Sequence, residues 1–508
     1  MVRLTLALAV TLATLSPAAA QQRSGMNAGL AAVFEEEMTL LKETIESNFK
    51  VMNDLKARIE ALEAAGKKQQ ADLQRLSAME KENEALRARL VAVEEARAAD
   101  AARVEAEAAK AAEDLAARRL LGGMFAVDAS VRVDFESIAN QRDLDGDFDD
   151  QETFLAHRIR AGLRFHPIPT ASLYVQVQDV RRWGREEDTM ADDEGLGLHQ
   201  GYVRFDDLLT DGLSFQAGRF EMAYGSGRLI GTSDFAIASR SFDAVRLAYH
   251  REGVIALDAF VAKVAERATP LDRDRDLYGL WMTTDALDGF TFDLYTLLSN
   301  DNAADSEETV GTVGARMAMD LEVGLFGELE AAVQFGQRRA VDVLAVMYAA
   351  ELGYRLRTGP VPFDLSMMFT TASGDGNPAD DRDVDFDSLF PNQYTHYGKL
   401  EQVSLRNLMA FGPRVGVTFL DDFSLEAELY SLWLVTPFGT RFGLGDGRPE
   451  TDETTHFGEE LDLTATWTPW DWASLQVGYS FLIPDQSAAK LRGDDRIDWV
   501  WITLEATY

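Results

Sequence analysis

From Phe125 to the last residue, apolar and polar side chains alternate with a period of two, and no other feature restricts the fold as tightly. In FAVDASVRVDF, Phe125, Val127, Ala129, Val131, Val133 and Phe135 take one face, and Asp128, Ser130, Arg132 and Asp134 take the other. HRIRAGLRF, LYVQVQDV, RVGVTF and FSLEAELY repeat the pattern. A period of two belongs to extended strands whose two faces meet different surroundings. Alternation alone does not separate a soluble sandwich from a transmembrane barrel, but the connections do. Short links (HPIPT, DDLLTDG, HREG, TTDALDG, DLEVG, RTGPVP, LDD, TPWDW) tend to alternate with long polar ones, among them residues 223–239, 372–402 and 436–455. Short turns on one side and long loops on the other are how outer-membrane barrels are built. The closing VWITLEATY alternates up to a terminal aromatic, and Trp183, Tyr202, Trp281, Trp433, Trp467, Trp470 and Trp472 lie near strand ends, where interfacial girdles form. The expected fold over residues 122–508 is an all-β transmembrane antiparallel barrel of about 18 strands.

The region before it reads differently. Residues 1–20 have the form of a signal peptide: Arg3, an apolar core from Leu4 to Leu15, then Ala18, Ala19 and Ala20 before Gln21. Residues 21–121 are expected to be a periplasmic α-helical coiled-coil stalk. Met38, Leu41, Ile45, Met52, Leu55, Ile59 and Leu62 mark a heptad seam. After Leu73 and Leu76 the seam shifts by three residues to Met79, Leu86, Leu90 and Val93. Asn48 and Asn83 fall on core positions, where a buried amide fixes register or oligomer state. Some 85 residues in one unbroken helix would make a rod of roughly 130 Å. Such a seam implies self-association, a homo-oligomer through the stalk, with an amphipathic helix left single or packed on its own barrel as the alternative.

Composition removes several functions. The chain has no cysteine, so neither disulfides nor thiolate metal sites arise. A formal charge of −36 excludes nucleic acid as a natural partner. No nucleotide-binding, nucleophile-elbow or zinc-protease motif is present, so the chain is not expected to be an enzyme. The partners expected are outer-membrane lipids and a hydrophilic solute. No cofactor is expected, save a loop-bound calcium at Asp143, Asp145 and Asp147 of DLDGDFDD, whose carboxylate spacing is that of a calcium loop while Gly146 comes two places early.

The stretch from Gly218 to Tyr249 runs from a strand through a Gly/Ser loop into a second strand. Gly225, Gly227 and Gly231 let it fold back, and residues 223–239 are the expected constriction loop. LHQGYVRF, LSFQAGRFEMAYGSGRLIG and RSFDAVRLAY, with RIRAGLRFHP and YVQVQDVRRWG upstream, resemble the alginate-export family of outer-membrane porins. The resemblance implies an 18-stranded monomeric barrel with an electropositive, arginine-lined pore for an acidic polysaccharide. It places Arg219, Arg228, Arg240, Asp243 and Arg246 in the matching motif. The long N-terminal helical region departs from the family pattern. Alternation alone points Arg132, Arg158, Arg160, Arg164, Arg204 and Arg414 inward, with Arg246. Rings of arginine favour anions in a narrow pore, or they pair with lumen carboxylates such as Asp134, Glu351, Glu426 and Glu428 and stiffen the wall. The functional expectation is a channel for passive diffusion or export of an anionic solute. The alternatives are a general oligomeric porin, or a structural tether between outer membrane and cell wall.

Overall fold

A computed structural model describes residues 23–62, the helical residues 77, 79, 81–84 and 87, and, from 119 onward, all but short stretches of the chain. Residues 1–22, 142–143, 145–150, 185–195 and 438–453 are among those not described, so the signal peptide, the calcium candidates Asp143, Asp145 and Asp147, and the stalk between 88 and 118 lie outside the described residues. The chain divides into two compact units, Met1–Ala117 and Arg118–Tyr508.

In the first unit, α1 spans Arg23–Leu62. The Arg87 guanidinium lies 4.6 Å from the Phe49 ring centroid. In one unbroken helix these residues would be about 57 Å apart. Arg87 and α1 therefore do not belong to one unbroken helix, and the expected continuous rod is corrected to two segments of one chain in contact. Leu41, Met52 and Asn83 are buried, and neither amide atom of Asn83 has a hydrogen-bond partner among the described residues.

The second unit is one sheet of twenty strands, two of which, Arg119–Leu120 and Arg382–Asp383, are two-residue pieces; the second of these pairs in parallel with Asp342 and Val343, and all other strand pairs are antiparallel. The other eighteen form the wall. β1 to β6 are Phe125–Ala139, Glu152–Ile168, Ala171–Arg182, Gly197–Phe205, Leu213–Phe220 and Phe242–Arg251. β7 to β12 are Ile255–Arg267, Arg273–Leu287, Phe290–Asp301, Glu308–Asp320, Leu325–Arg338 and Val341–Leu356. β13 to β18 are Phe363–Ala372, Leu408–Phe419, Phe423–Leu434, His456–Trp470, Ala473–Pro484 and Ile497–Thr507. Each pairs with its sequence neighbours, and β1 pairs with β18 from Ser130 opposite Thr507 to Ala139 opposite Asp498, which closes the barrel. Closure leaves no edge strand, the condition for crossing hydrocarbon with strands.

The dyad pattern sorts the side chains as expected. Val131, Ile159, Leu163, Val175, Leu280, Leu329 and Leu352 face out and are exposed, while Arg132, Arg158, Gln176, Trp281, Glu330 and Gln334 face in and are buried. Aromatic pairs collect on the outer face by the short turns: Phe125 on Phe165 at 4.8 Å, Phe205 on Phe215 at 6.5 Å, and Trp470 on Trp472 at 5.1 Å. Trp281 does not join a girdle; it is buried inside the barrel against Tyr295, ring centroids 4.2 Å apart.

Candidate functional site

Two long loops turn inward and meet. The first, residues 221–241, joins β5 to β6, and the second, residues 373–407, joins β13 to β14. The first leaves β5 beside Phe220 and carries Met222, Leu229 and Ile230, all almost fully buried. The second carries Phe386, Tyr397, Leu400, Val403 and Leu405, equally buried. They pair as a short parallel bridge at Ile230 and Phe390: the Gly231 N–H donates to the Phe390 carbonyl at 2.8 Å, and the Phe390 N–H to the Leu229 carbonyl at 2.9 Å. Phe235 stacks on Tyr394 at 3.5 Å, and that pair sits edge-on to Trp499 and Trp501 of β18. Glycine is required at the crossing. A Cβ on Gly231 would stand 2.9 Å from the Asn392 backbone nitrogen, and Gly227 adopts φ +78°. The sequence signalled the first loop through its glycines. The second loop was read only as a long connection, because its glycine-poor middle enters the lumen through tertiary pairing alone.

On one side, the first loop meets arginines of the wall. The Arg132 guanidinium donates to Asp134 at 2.9 Å and to the Asp234 carbonyl at 3.0 Å. Arg158 donates to the carbonyl and the carboxylate of Asp234, both at 3.1 Å, with Glu505 at 3.5 Å. Arg160 donates to Gln178 at 2.8 Å and to Ser239, with Glu221 at 3.5 Å and Asp234 at 3.6 Å. Glu221 also accepts from His199 at 2.7 Å. Toward the short-turn end, the same wall carries Arg164, Arg204 and Arg246. Arg164 stacks over Tyr174 at 4.4 Å and donates to the Tyr202 hydroxyl at 3.1 Å. Arg204 and Arg246 flank Gln216 in register; Arg204 pairs with Asp206 at 2.8 Å, and Arg246 donates to Gln216 at 2.8 Å.

On the opposite wall the polarity reverses. β2 and β11 are half a turn of the ring apart, and β11 presents Glu328 and Glu330 inward on either side of outward Leu329. Arg228 of the first loop reaches both, at 3.0 Å each. Burial opposes its charge, but Tyr397, Glu330 and Glu328 together raise its pKa above the ordinary value. Arg316 bridges Glu328 at 2.7 Å and Asp293 at 2.8 Å, and the Tyr295 hydroxyl donates to Glu330 at 2.8 Å. The second loop is held in the same manner. Lys399 reaches Glu428 at 2.6 Å and Glu426 at 3.4 Å; burial disfavours its charge, yet the two glutamates leave its pKa raised. The backbone N–H of Leu400 donates to the buried Glu460 at 2.8 Å, and that of Lys399 to Asp462 at 3.1 Å. Gly398 permits this approach, since a Cβ there, at φ +101°, would lie 2.4 Å from the Glu460 carboxyl carbon. Arg414 donates to Glu428 at 2.6 Å and to Glu351 at 3.2 Å.

The expected site residues thus separate into groups. Arg132, Arg158, Arg160, Arg164, Arg204 and Arg246 share one wall; Arg228 and Arg414 serve the acidic side. Arg240 lies where the loops cross and donates to three carbonyls, Gly231 at 2.9 Å, Phe390 at 2.6 Å and Pro391 at 3.2 Å. Its burial lowers its pKa, and only the charge of Glu401 opposes that. Arg219 and Asp243 are a correction. They form an ion pair of 3.0 Å on the outer face, because they share parity with Ala217 and Val245, and they do not line the lumen. Asp234, Glu328, Glu330, Arg316 and Lys399 were missed. Only Glu328-Leu329-Glu330 carried a signal, an alternation that points both glutamates inward. Among the described residues there is no group of three or more His, Cys, Asp or Glu placed to hold a metal ion.

The alginate export family matches residues 123–487. Among solved structures, the barrel is similar to OprD from Pseudomonas aeruginosa (10% identity, TM-score 0.52, 76% of this chain and 94% of that one). It is similar as well to OccD3 (OpdP) from the same organism (14%, 0.52, 77% and 92%), and to OccAB2 from Acinetobacter baumannii (12%, 0.52, 76% and 98%). At such identities the likeness speaks for the fold alone. No curated protein matches the sequence.

Proposed function

This chain belongs to the alginate export family and is an outer-membrane porin-like channel, and from that premise we propose that it conducts a hydrophilic anionic solute of the acidic oligo- or polysaccharide class through an arginine-bearing constriction. The observation that carries this reading is the set of arginines along β2, β4 and β6, from Arg158 and Arg160 at the first inserted loop to Arg164, Arg204 and Arg246 below it. Arg164 has no carboxylate within ion-pair distance among the described residues; its contacts are the two tyrosines. Arg240 meets backbone carbonyls. Cations left uncompensated in a narrow, low-dielectric passage attract anions most strongly, because solvent screens them least. We read residues 21–121 as a periplasmic helical segment that associates with its own copies and would gather several channels; the even strand count and the short turns on the side where β1 begins support that reading.

The test is the reversal potential of the purified protein in planar bilayers under a salt gradient. Replacing Arg164, Arg204 and Arg246 together by glutamine is expected to reduce anion selectivity and to weaken block by an acidic oligosaccharide, while Arg219→Gln leaves both unchanged. Cation selectivity indifferent to the triple change would refute the arginine reading. It would favour a general porin, a reading already encouraged by the many arginines that are paired with carboxylates.

A further inference from the structure

The two sides of the lumen differ in what stands across the strand gap from each arginine. On the acidic side it is a carboxylate: Arg316 lies opposite Asp293, Arg338 opposite Glu308, and Arg414 opposite Glu428. On the basic wall the cross-strand neighbours are uncharged. Arg160 lies between Ser130 and Gln178, Arg164 between Ala126 and Tyr174, Arg204 between Ser172 and Gln216, and Arg246 between Gln216 and Phe260. Carboxylates reach these arginines only along the strand, at an angle or from the loop: Asp206 to Arg204 at 2.8 Å, Asp258 to Arg246 at 3.7 Å, and Glu221 to Arg160 at 3.5 Å.

Two of the neighbours are set alike. A guanidinium only donates, so an amide beside it turns its carbonyl toward it. Gln178 accepts from Arg160 at 2.8 Å, and Gln216 from Arg246 at 2.8 Å. That leaves each amide its NH2 end. Neither amide nitrogen has a partner among the described residues, and neither is fully enclosed. The Tyr202 hydroxyl accepts from Arg164 at 3.1 Å and keeps its own proton to donate. In the row Arg204, Gln216, Arg246, the two cations stand two strand spacings apart, about 10 Å at the backbone, with a neutral donor between them. A wall that reads charge alone has no use for that donor. A polymer with one carboxylate per sugar ring does, because neutral ring and hydroxyl oxygens separate its charges. We propose that Gln178 and Gln216 are specificity-determining residues, which hydrogen-bond those neutral oxygens while Arg160 and Arg246 take the carboxylates. The inference rests on the anionic-saccharide reading above and adds that hydroxyl groups are read along with charge. A site built to hydrogen-bond a neutral group of its ligand discriminates sharply against an analogue that lacks the group, since its own polar atom is then left without a partner.

The test compares two blockers of the channel current in planar bilayers: a short oligosaccharide of a hexuronic acid, and an acrylic acid oligomer with as many carboxylates and no hydroxyl. The ratio of their half-blocking concentrations is the readout. In the unmodified protein the saccharide is expected to block at a several-fold lower concentration, a comparison that needs no variant. The double change Gln178→Met and Gln216→Met, which keeps side-chain length and removes the amide, is expected to bring the ratio close to unity. Arg164→Met is expected to weaken both blockers together and to preserve the ratio. Equal block by the two in the unmodified protein would overturn the proposal while leaving an anion-selective channel standing. So would a saccharide preference that survives the double change. Block by neither, together with cation selectivity, would remove the anionic-solute reading itself and this inference with it.

Discussion

The first loop is held from opposite walls of the lumen with opposite polarity, and the second is held by acidic strands alone. On β1 and β2 the strands supply the cations Arg132, Arg158 and Arg160, and the loop supplies the anions Asp234 and Glu221. On β11, β15 and β16 the strands supply Glu328, Glu330, Glu428 and Glu460, and the loops supply Arg228, Lys399 and backbone N–H groups. The walls differ in water as well. The Arg228 and Glu330 side chains are 9% and 2% exposed, whereas in the Arg158–Asp234 pair the guanidinium is 1% exposed and the carboxylate 56%. Ion pairs in these two settings do different work. A dry pair fixes a loop, because breaking it strands a charge. A pair with one wet partner leaves that partner, here the Asp234 carboxylate, in contact with whatever passes, while its buried arginines stay behind it.

That contrast is broken most severely at Arg228. Arg228→Ala leaves Glu328 and Glu330 buried without this partner, and a loss of about 3–5 kcal/mol is expected in thermal unfolding in detergent, with protease cleavage appearing within residues 221–241. A loss below about 1 kcal/mol would mean that the acidic wall is as wet as the basic one. Next in size is Gly398→Ala. Its Cβ would collide with Glu460 at a φ of +101°, so a loss of about 1–3 kcal/mol and excess single-channel noise from a loosened second loop are expected.

The third test is one of pH. His396 sits at the crossing, where its Nε2–H donates to the Ser226 carbonyl at 3.1 Å. Burial, and then the charge of Arg228, hold its pKa well below the ordinary 6.5. A histidine depressed on folding binds its proton more readily in the unfolded chain. Its contribution is therefore complete above about pH 6.5 and is lost as pH falls toward the folded value. Channel noise and proteolysis at the crossing are expected to rise between pH 7 and pH 5, and His396→Gln is expected to flatten that dependence.

Asp234→Asn is the test of the wet wall. Buried Arg158 keeps Glu505 and the carbonyl of residue 234, so stability is expected to fall by only about 1 kcal/mol, while the reversal potential moves toward anions because Arg158 and Arg160 lose a shared carboxylate. An unchanged potential would place the ion path away from this wall. The smallest effect belongs to Arg219→Gln, outside the lumen, where no change in selectivity is expected.

Much of this architecture is legible in the sequence. The dyad pattern and the parity of link lengths specify eighteen strands and the side on which the short turns lie, since lipid and water impose opposite demands on alternate side chains. The outward position of Arg219 was legible as well: in LSFQAGRF it shares parity with Leu213, Phe215 and Ala217. The motif around it drew it inward in the reading, against its own alternation. Pairing was not legible. Nothing local in Arg228 names Glu330, and nothing in residues 373–407 announces that they meet residues 229–231, because those contacts depend on closure of the ring. The contact between the two N-terminal helical segments was hidden for a similar reason. A shift of the heptad seam is compatible with a continuous helix, and only the contact of Arg87 with Phe49 rules that out.

The bridge between Ile230 and Phe390 has a consequence for biogenesis. Eight strands, β6 to β13, lie between the two loops in sequence. The longer the chain between two contacts, the greater the entropy cost of bringing them together. Neither loop finds its partner until those strands have been laid down and the ring has curved shut. The cylinder is therefore expected to enter the membrane wide open and to narrow last, so that a chain stalled during assembly would be a leak rather than a blocked channel.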